Sequence, residues 1–202
     1  MKLTKYTHSC VRVEHDGGVL VIDPGIWSEP GALRGADAVL VTHEHADHVD
    51  TLRLAGLGAP VYAPAGADLP GVRHTPVTIG DEFEAAGLPI RVVGGPHALI
   101  HGGLPDCPHV GYLVDGSLYH PGDALHVPAE RVRTLLVPLQ ASWLKLVEAI
   151  AFAQQIDPEL AFGIHDAQLN ERGLSSVNGW LSETCRAYRY LGSGGSYDKL
   201  PG

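Results

Sequence analysis

A short segment of the chain concentrates side chains that bind metal ions. Imidazole nitrogens and carboxylate oxygens are the donors that zinc, manganese and iron take in proteins. The segment directly follows an apolar run, residues 38–41, so a strand would hold these donors in a convergent geometry. The number of donors favours two divalent ions over one. Three histidines and an aspartate fall within seven residues, Thr42-His43-Glu44-His45-Ala46-Asp47-His48.

Further donors stand where other strand-like runs end. His97 follows residues 90–93 and a Gly-Gly-Pro turn, Asp123 follows residues 117–119, and His165 ends the run 160–164. Strand ends of a layered α/β fold gather at one edge, so these side chains are predicted to converge on the first segment. His101 is the alternative to His97. We prefer His97 because it stands nearer its strand, where the backbone direction is fixed.

Taken together, these residues resemble the metallo-β-lactamase superfamily of metal-dependent hydrolases. The pattern H-x-H-x-D-H with a later His, Asp and His is that family's signature, and the similarity also takes in residues 20–25, 119–123 and 163–166. The similarity extends over nearly the whole chain. It implies an α/β (α+β) fold, a four-layer αβ/βα sandwich with metals at one edge between two sheets. We expect one domain over residues 1–202.

The resemblance also implies a role for each ligand. Asp123 would bridge both ions, and zinc is favoured over manganese or iron because five of the ligands are imidazoles. Cys107 is a weaker alternative ligand, since it does not match the family's positions. Asp23 and Thr42 are candidates to hold the outer nitrogens of the histidines. The first ion would take His43, His45 and His97, and the second would take Asp47, His48 and His165.

The implied reaction is hydrolysis of a small molecule by a hydroxide that bridges the ions. Asp47 would orient this nucleophile and receive its proton. The substrate is expected to be a small ester, lactone or phosphodiester, including anionic ones. A thioester hydrolase, a nuclease or a non-catalytic metal-binding sensor is the alternative.

A narrower similarity is to the ascorbate-6-phosphate lactonases, carried by Thr7-His8-Ser9 and by Trp143. By its position in the family, His8 is predicted to contact the substrate or a metal-bound water. Trp143 and Lys145 begin the long predicted helix after residues 137–138, so they are predicted to overhang the site and contact the substrate. Core packing of Trp143 and a solvated Lys145 are equally compatible with the sequence.

Charge and composition restrict the partners. The formal net charge is -9, which disfavours nucleic acid, because its binding draws on clustered Lys and Arg. Three scattered cysteines argue against a disulfide framework, and the first residues lack the apolar stretch of a signal peptide. No apolar run approaches the length of a membrane span. We therefore expect a cytoplasmic protein that acts on a small molecule.

The pattern of apolar residues and turns predicts the elements that position the site. Hairpins are expected at Asp16-Gly17-Gly18 and at Asp115-Gly116. Helices are predicted at residues 47–55, at 142–156 with Ser142 as N-cap, and at 174–191. Strands are predicted at residues 3–7, 10–14, 19–22, 39–42, 61–63 and 90–93.

Overall fold

Two β-sheets stacked face to face form the centre of the molecule. The computed structural model describes residues 1–105 and 107–201, and within them each sheet has seven strands. The first sheet is built from β1 (Lys2–Lys5), β2 (Val11–His15), β3 (Gly18–Ile22), β4 (Ala38–Leu40), β5 (Val61–Pro64), β6 (Thr75–Val77) and β14 (Ser196–Tyr197). The second sheet is built from β7 (Glu82–Ala85), β8 (Leu88–Val93), β9 (Gly111–Val114), β10 (Leu118–His120), β11 (Thr134–Pro138), β12 (Leu160–Ile164) and β13 (Tyr188–Arg189).

The strand order brings the functional loops to one edge. The sheets run β14-β1-β2-β3-β4-β5-β6 and β13-β12-β11-β10-β9-β8-β7. Strands β3 to β6 are parallel to one another, as are β10 to β13. Parallel neighbours end on the same side of a sheet, so the loops after β3 and β4 are adjacent, and so are those after β10, β11 and β12. Both predicted hairpins are confirmed, as β2–β3 and β9–β10.

The main core lies between the sheets and draws on both. Leu20 and Leu40 of the first sheet and Val92 and Phe162 of the second belong to one buried apolar cluster. Full burial of such a side chain contributes about 1.5–3 kcal/mol. A second cluster lies between the second sheet and the helices α2 (Leu146–Ile156) and α3 (Glu171–Thr184).

The outer layer on the first sheet is thin. It consists of helix α1 (Thr51–Ala55), a 3-10 helix (Pro30–Leu33) and loops, which share a third apolar cluster with that sheet. The predicted four-layer sandwich is thus confirmed, with unequal outer layers. None of the helices in the described part of the chain combines the length and hydrophobicity that crossing a bilayer requires.

Two helices begin later than predicted, because other residues cap them. The Asp50 side chain accepts a hydrogen bond from Arg53 N at 3.1 Å, so α1 starts at Thr51 and residues 47–50 stay in the loop. Lys145 N donates to Glu148 Oε2 at 2.9 Å, and α2 therefore starts after Lys145 and not at Ser142. Both shifts leave more of the predicted site on loops.

The last helix lies earlier in the chain than predicted. The Asn170 side chain accepts from the backbone N of Arg172 and Gly173, so α3 begins at Glu171. It ends at Thr184 because the chain turns into β13, which pairs with β12. The helix predicted over residues 174–191 is therefore wrong for residues 185–191.

A buried ion pair ties the two sheets together behind the functional edge. Lys5, at the end of β1, places Nζ 2.8 Å from Asp166 Oδ2, and its side chain is 1% exposed. Asp166 follows β12 by two positions, and its Oδ1 accepts from His8 N at 3.1 Å. Since removal of one member of a buried pair leaves an unpaired charge, it costs about 3–5 kcal/mol.

Glu29 gives the fold a measurable dependence on pH. Burial opposes its ionisation, but hydrogen bonds from Ser193 and Thr7 outweigh burial and lower the Glu29 pKa to about 2. Because the folded pKa lies below that of the unfolded chain, the stabilisation is present above about pH 4.5 and is lost as the pH falls towards 2.

We expect Glu29→Gln to lower the urea unfolding midpoint at neutral pH. On acidification the midpoint of the variant should approach that of the wild type. A difference that stays constant with pH would contradict this, and the exposed Glu84→Gln serves as control.

Candidate metal centre

All seven predicted ligands lie together at the edge between the sheets. They come from the loop after β4, which follows the first sheet, and from the loops after β8, β10 and β12 of the second sheet. Within each of the following groups, the ligand atoms are within 4.8 Å of one another. The groups are His43, His45 and His97; His43, His48 and Asp123; and His8, Asp47, His48 and His165.

The first group is a compact set of three imidazoles. His43 Nε2 and His45 Nδ1 are 3.1 Å apart, and the ring centres of His43 and His97 are 4.8 Å apart. The structure places His97 in this position. His101, the alternative, lies further along the same loop, where it is exposed and forms an isolated β-bridge with Leu104.

Asp123 lies between the two sets of donors. Its Oδ1 is 3.0 Å from His48 Nε2, and its Oδ2 is 3.2 Å from His165 Nε2 and 3.5 Å from His97 Nε2. A carboxylate that touches imidazoles of both sets has the position of a bridging ligand. Trp143 Nε1 donates to Oδ2 at 3.0 Å and helps to fix this carboxylate.

Backbone carbonyls fix the ring orientation of two histidines. His97 Nδ1 donates to Ala98 O at 2.7 Å, and His165 Nδ1 donates to Gln140 O. A carbonyl only accepts, so each ring carries a proton on Nδ1 and directs Nε2 towards Asp123.

Asp23 and Thr42 orient two more histidines, as the sequence predicts. His48 Nδ1 donates to Asp23 Oδ2 at 2.7 Å. Thr42 Oγ1 donates to the same oxygen at 2.7 Å and lies 3.0 Å from His43 Nδ1, which can donate to it. Asp23 is fully buried at the end of β3, next to the start of the metal loop after β4. Both histidines therefore turn Nε2 into the centre.

The residues present fit metal ions. His97 Nε2 is buried and makes no hydrogen bond among the described residues, and the buried pair of His48 Nε2 and Asp123 Oδ1, 3.0 Å apart, has no further partner there. Buried polar atoms without a partner are costly, and here they converge on one space together with His43 Nε2 and His45 Nδ1. Nitrogen and carboxylate donors in this arrangement suit zinc and neighbouring transition metals.

The protonation of the site also suits ligand binding. Burial lowers the pKa of His43 well below its ordinary value, so its ring is neutral. Burial opposes the charge on Asp123 too, but nearby histidines, His48 foremost, hold its pKa well below the ordinary value. His48 is the exception: burial disfavours its charged form, yet Asp123 and Asp23 outweigh burial and raise its pKa well above the usual value. Metal binding would therefore displace a proton from His48.

Two supporting histidines were not assigned by the sequence reasoning. His109 Nδ1 donates to Gly95 O at 2.8 Å and its Nε2 accepts from Asp123 N at 3.0 Å, so one ring positions two ligand loops. His120 Nε2 donates to Ser9 O at 2.9 Å. Their only signal in the sequence is a position beside a strand end, which other loop histidines share.

The predicted substrate contacts have different environments. His8 is buried, accepts from Ala167 N on Nδ1 at 3.3 Å and lies with Nε2 3.1 Å from Asp47 Oδ2, so it holds that carboxylate. Trp143 lines the metal cleft. Lys145 does not: its side chain is 80% exposed and pairs with Glu148 at 3.6 Å. Its expected substrate contact finds no support, because the later start of α2 places Lys145 at the helix cap.

The chain shows clear similarity to known proteins. The family model described as "Beta-lactamase superfamily domain" matches residues 2–165. Protein Rv0786c of Mycobacterium tuberculosis is 40% identical over 179 residues, covering 83% of this chain and 84% of that protein. UPF0173 metal-dependent hydrolase MK1542 of Methanopyrus kandleri is 29% identical over 202 residues, covering 82% and 84%.

A solved structure has the same fold. Igni18, described as a novel metallo hydrolase from Ignicoccus hospitalis, superposes with a TM-score of 0.72 at 20% identity and covers 98% of each chain. At this identity the likeness concerns the fold alone. The family match, the sandwich and the convergent ligands agree: the chain belongs to the metallo-β-lactamase superfamily.

Proposed function

We propose that this chain is a hydrolase that uses two divalent ions, with zinc the favoured metal, to cleave a small ester, lactone or thioester. One observation carries the proposal. Five imidazoles turn one ring nitrogen each to a space that they share with Asp47 and Asp123. The name of the Methanopyrus kandleri relative, a metal-dependent hydrolase, supports it.

The donor arrangement supports different catalytic roles for the bound ions and for Asp47. Ions held by these two donor sets would lower the pKa of a shared water and polarise the scissile carbonyl. Asp47 is held by His8, and that hydrogen bond together with the charge of His48 outweighs burial and lowers the Asp47 pKa to about 2. A carboxylate this acidic stays ionised at neutral pH. It can accept a hydrogen bond from the attacking water, and His8 fixes its direction, so we assign Asp47 to orient the nucleophile.

The cleft above the ligands suits a small reacting group and, apart from the proposed ions, its described lining offers no positive charge. It has a volume of about 120 Å³, and its lining includes Ala141, Ser142, Trp143 and Gln168 beside the ligands. None of the described residues that line it is Lys or Arg. A phosphodiester substrate gains little from such a lining, so we rank esters, lactones and thioesters first.

Metal analysis coupled to an activity screen tests the proposal. We expect the purified protein to contain two equivalents of a divalent metal and to hydrolyse members of a panel of lactones, esters and thioesters. His43→Ala is expected to lose metal and turnover together, whereas His15→Ala, at the end of β2 and outside the centre, should keep both. Unchanged turnover in metal-replete His43→Ala would overturn the proposal.

A further inference from the structure

A second cavity lies beside the metal cleft. The group that is hydrolysed fits in the cleft and does not occupy this second cavity. The second cavity has a volume of about 470 Å³, against about 120 Å³ for the cleft. Ile100, Leu104, Pro105 and Cys107 form much of its wall. We call it the side cavity.

The side cavity borders the metal cleft. His45 and Ile100 line both. His45 turns Nδ1 to the metal centre, while its Nε2 is 3.8 Å from Cys107 Sγ, on the side-cavity wall. A molecule whose carbonyl lies at the metal ligands would reach the side cavity by passing Ile100, which borders both spaces.

The apolar wall is held in place by backbone hydrogen bonds. Ile100 N donates to Leu104 O at 2.7 Å, and Leu104 N donates to His101 O at 2.8 Å. This turn sets Ile100 and Leu104 side by side although they are 52% and 61% exposed. Paired exposed aliphatic side chains beside a binding cleft are typical of a ligand-binding surface, because an apolar ligand removes them from water.

The charge of the lining argues against an ionic occupant. No Lys or Arg is among the described residues that line the side cavity. Among the described lining residues, Glu44 carries a carboxylate, which accepts from Asp68 N at 2.6 Å and adds negative charge that repels an anion. The wall thus favours an uncharged apolar group.

We propose that the side cavity binds the apolar acyl chain of the substrate, so that the substrates are esters, thioesters or lactones of medium-chain carboxylic acids. This inference rests on the proposed function. Hydrolysis breaks the acyl–heteroatom bond; water gives its oxygen to the acyl carbon, one proton to the leaving alcohol or thiol and the other proton to solvent. The released carboxylate would stay at the metal ligands, with its alkyl chain along Ile100.

Binding of the product series tests the inference without turnover. Acetate, butanoate, hexanoate and octanoate are titrated into the zinc-loaded protein by calorimetry. We expect affinity to rise about fourfold for each methylene that is buried. Leu104→Asp should flatten this rise while acetate binding and zinc content stay unchanged. Leu99→Asp is the matched control, because Leu99 is 64% exposed on the same loop and lines neither cavity.

Each outcome decides between the two proposals. Equal affinity for all four acids, or an undiminished rise in Leu104→Asp, overturns the side-cavity inference even if short esters are hydrolysed. A chain-length effect that Leu104→Asp removes, in a protein that hydrolyses no ester, lactone or thioester, overturns the hydrolase proposal and leaves the binding site standing. If Leu104→Asp does not fold, Leu104→Ser is used with the same expectations.

Discussion

Replacing Asp123 with alanine is expected to lower kcat/KM for hydrolysis about a thousandfold and to reduce the bound metal from two equivalents to one or fewer. Asp123 touches His48, His97 and His165, so its removal takes a donor from both sets. Lewis-acid stabilisation is worth several kcal/mol, and each 1.4 kcal/mol is a factor of about ten in rate. Metal analysis and steady-state kinetics on the same preparation measure both effects.

One further variant separates charge from shape at this position, and a second, distant variant serves as control. Asp123→Asn keeps the size of the side chain and should still lose most activity, because an amide is a poor bridging donor. Asp198→Ala removes an exposed carboxylate near the end of the chain and should change neither quantity. Full turnover with two ions in Asp123→Ala would show that Asp123 does not bridge.

The second large effect is expected from Gly25→Ala. A Cβ at this position would lie 1.8 Å from Asp47 O and 2.8 Å from His48 N, and both contacts are with backbone that no side-chain rotation relieves. The loop after β3 must therefore move away from the metal loop. We expect a loss of stability at or above the 1–3 kcal/mol typical of overpacking, and about a 10- to 100-fold weaker affinity for the second ion, since Asp47 and His48 shift.

Urea unfolding and metal titration of the variant measure these losses. Gly31→Ala is the matched control, because a Cβ there meets nothing within 4 Å. If the two variants behave alike, the close approach at Gly25 does not position the ligands.

The sequence predicts which donor residues converge better than it predicts the residues that hold these donors in place. His43 to His48 are contiguous, and His97, Asp123 and His165 each follow a strand, so spacing and strand ends suffice to group them. The bond from His120 to Ser9 spans 111 positions, and no local pattern carries such a contact. The ion pair of buried Lys5 with Asp166 also joins distant segments, so it cannot be predicted before the positions of β1 and β12 in the fold are known.

Helix boundaries failed for a related reason. The periodicity of residues 142–156 fits a helix, but the choice of cap depends on Glu148 folding back to Lys145 N. The short strands β6, β7 and β14 were not predicted, since edge strands carry little apolar alternation of their own. No local sequence pattern predicts the side cavity, because it forms where the loop after β8 passes the metal loop.

The metal loop follows the first sheet, while His97, Asp123 and His165 follow the second. Any ion shared by them is a cross-link that exists only in the native state, and such a ligand stabilises the fold by about 2.7 kcal/mol when its free concentration is a hundred times the dissociation constant. Metal supply would then govern the lifetime of the polypeptide as well as its turnover. A chelator should make the chain more susceptible to proteases before any covalent damage occurs.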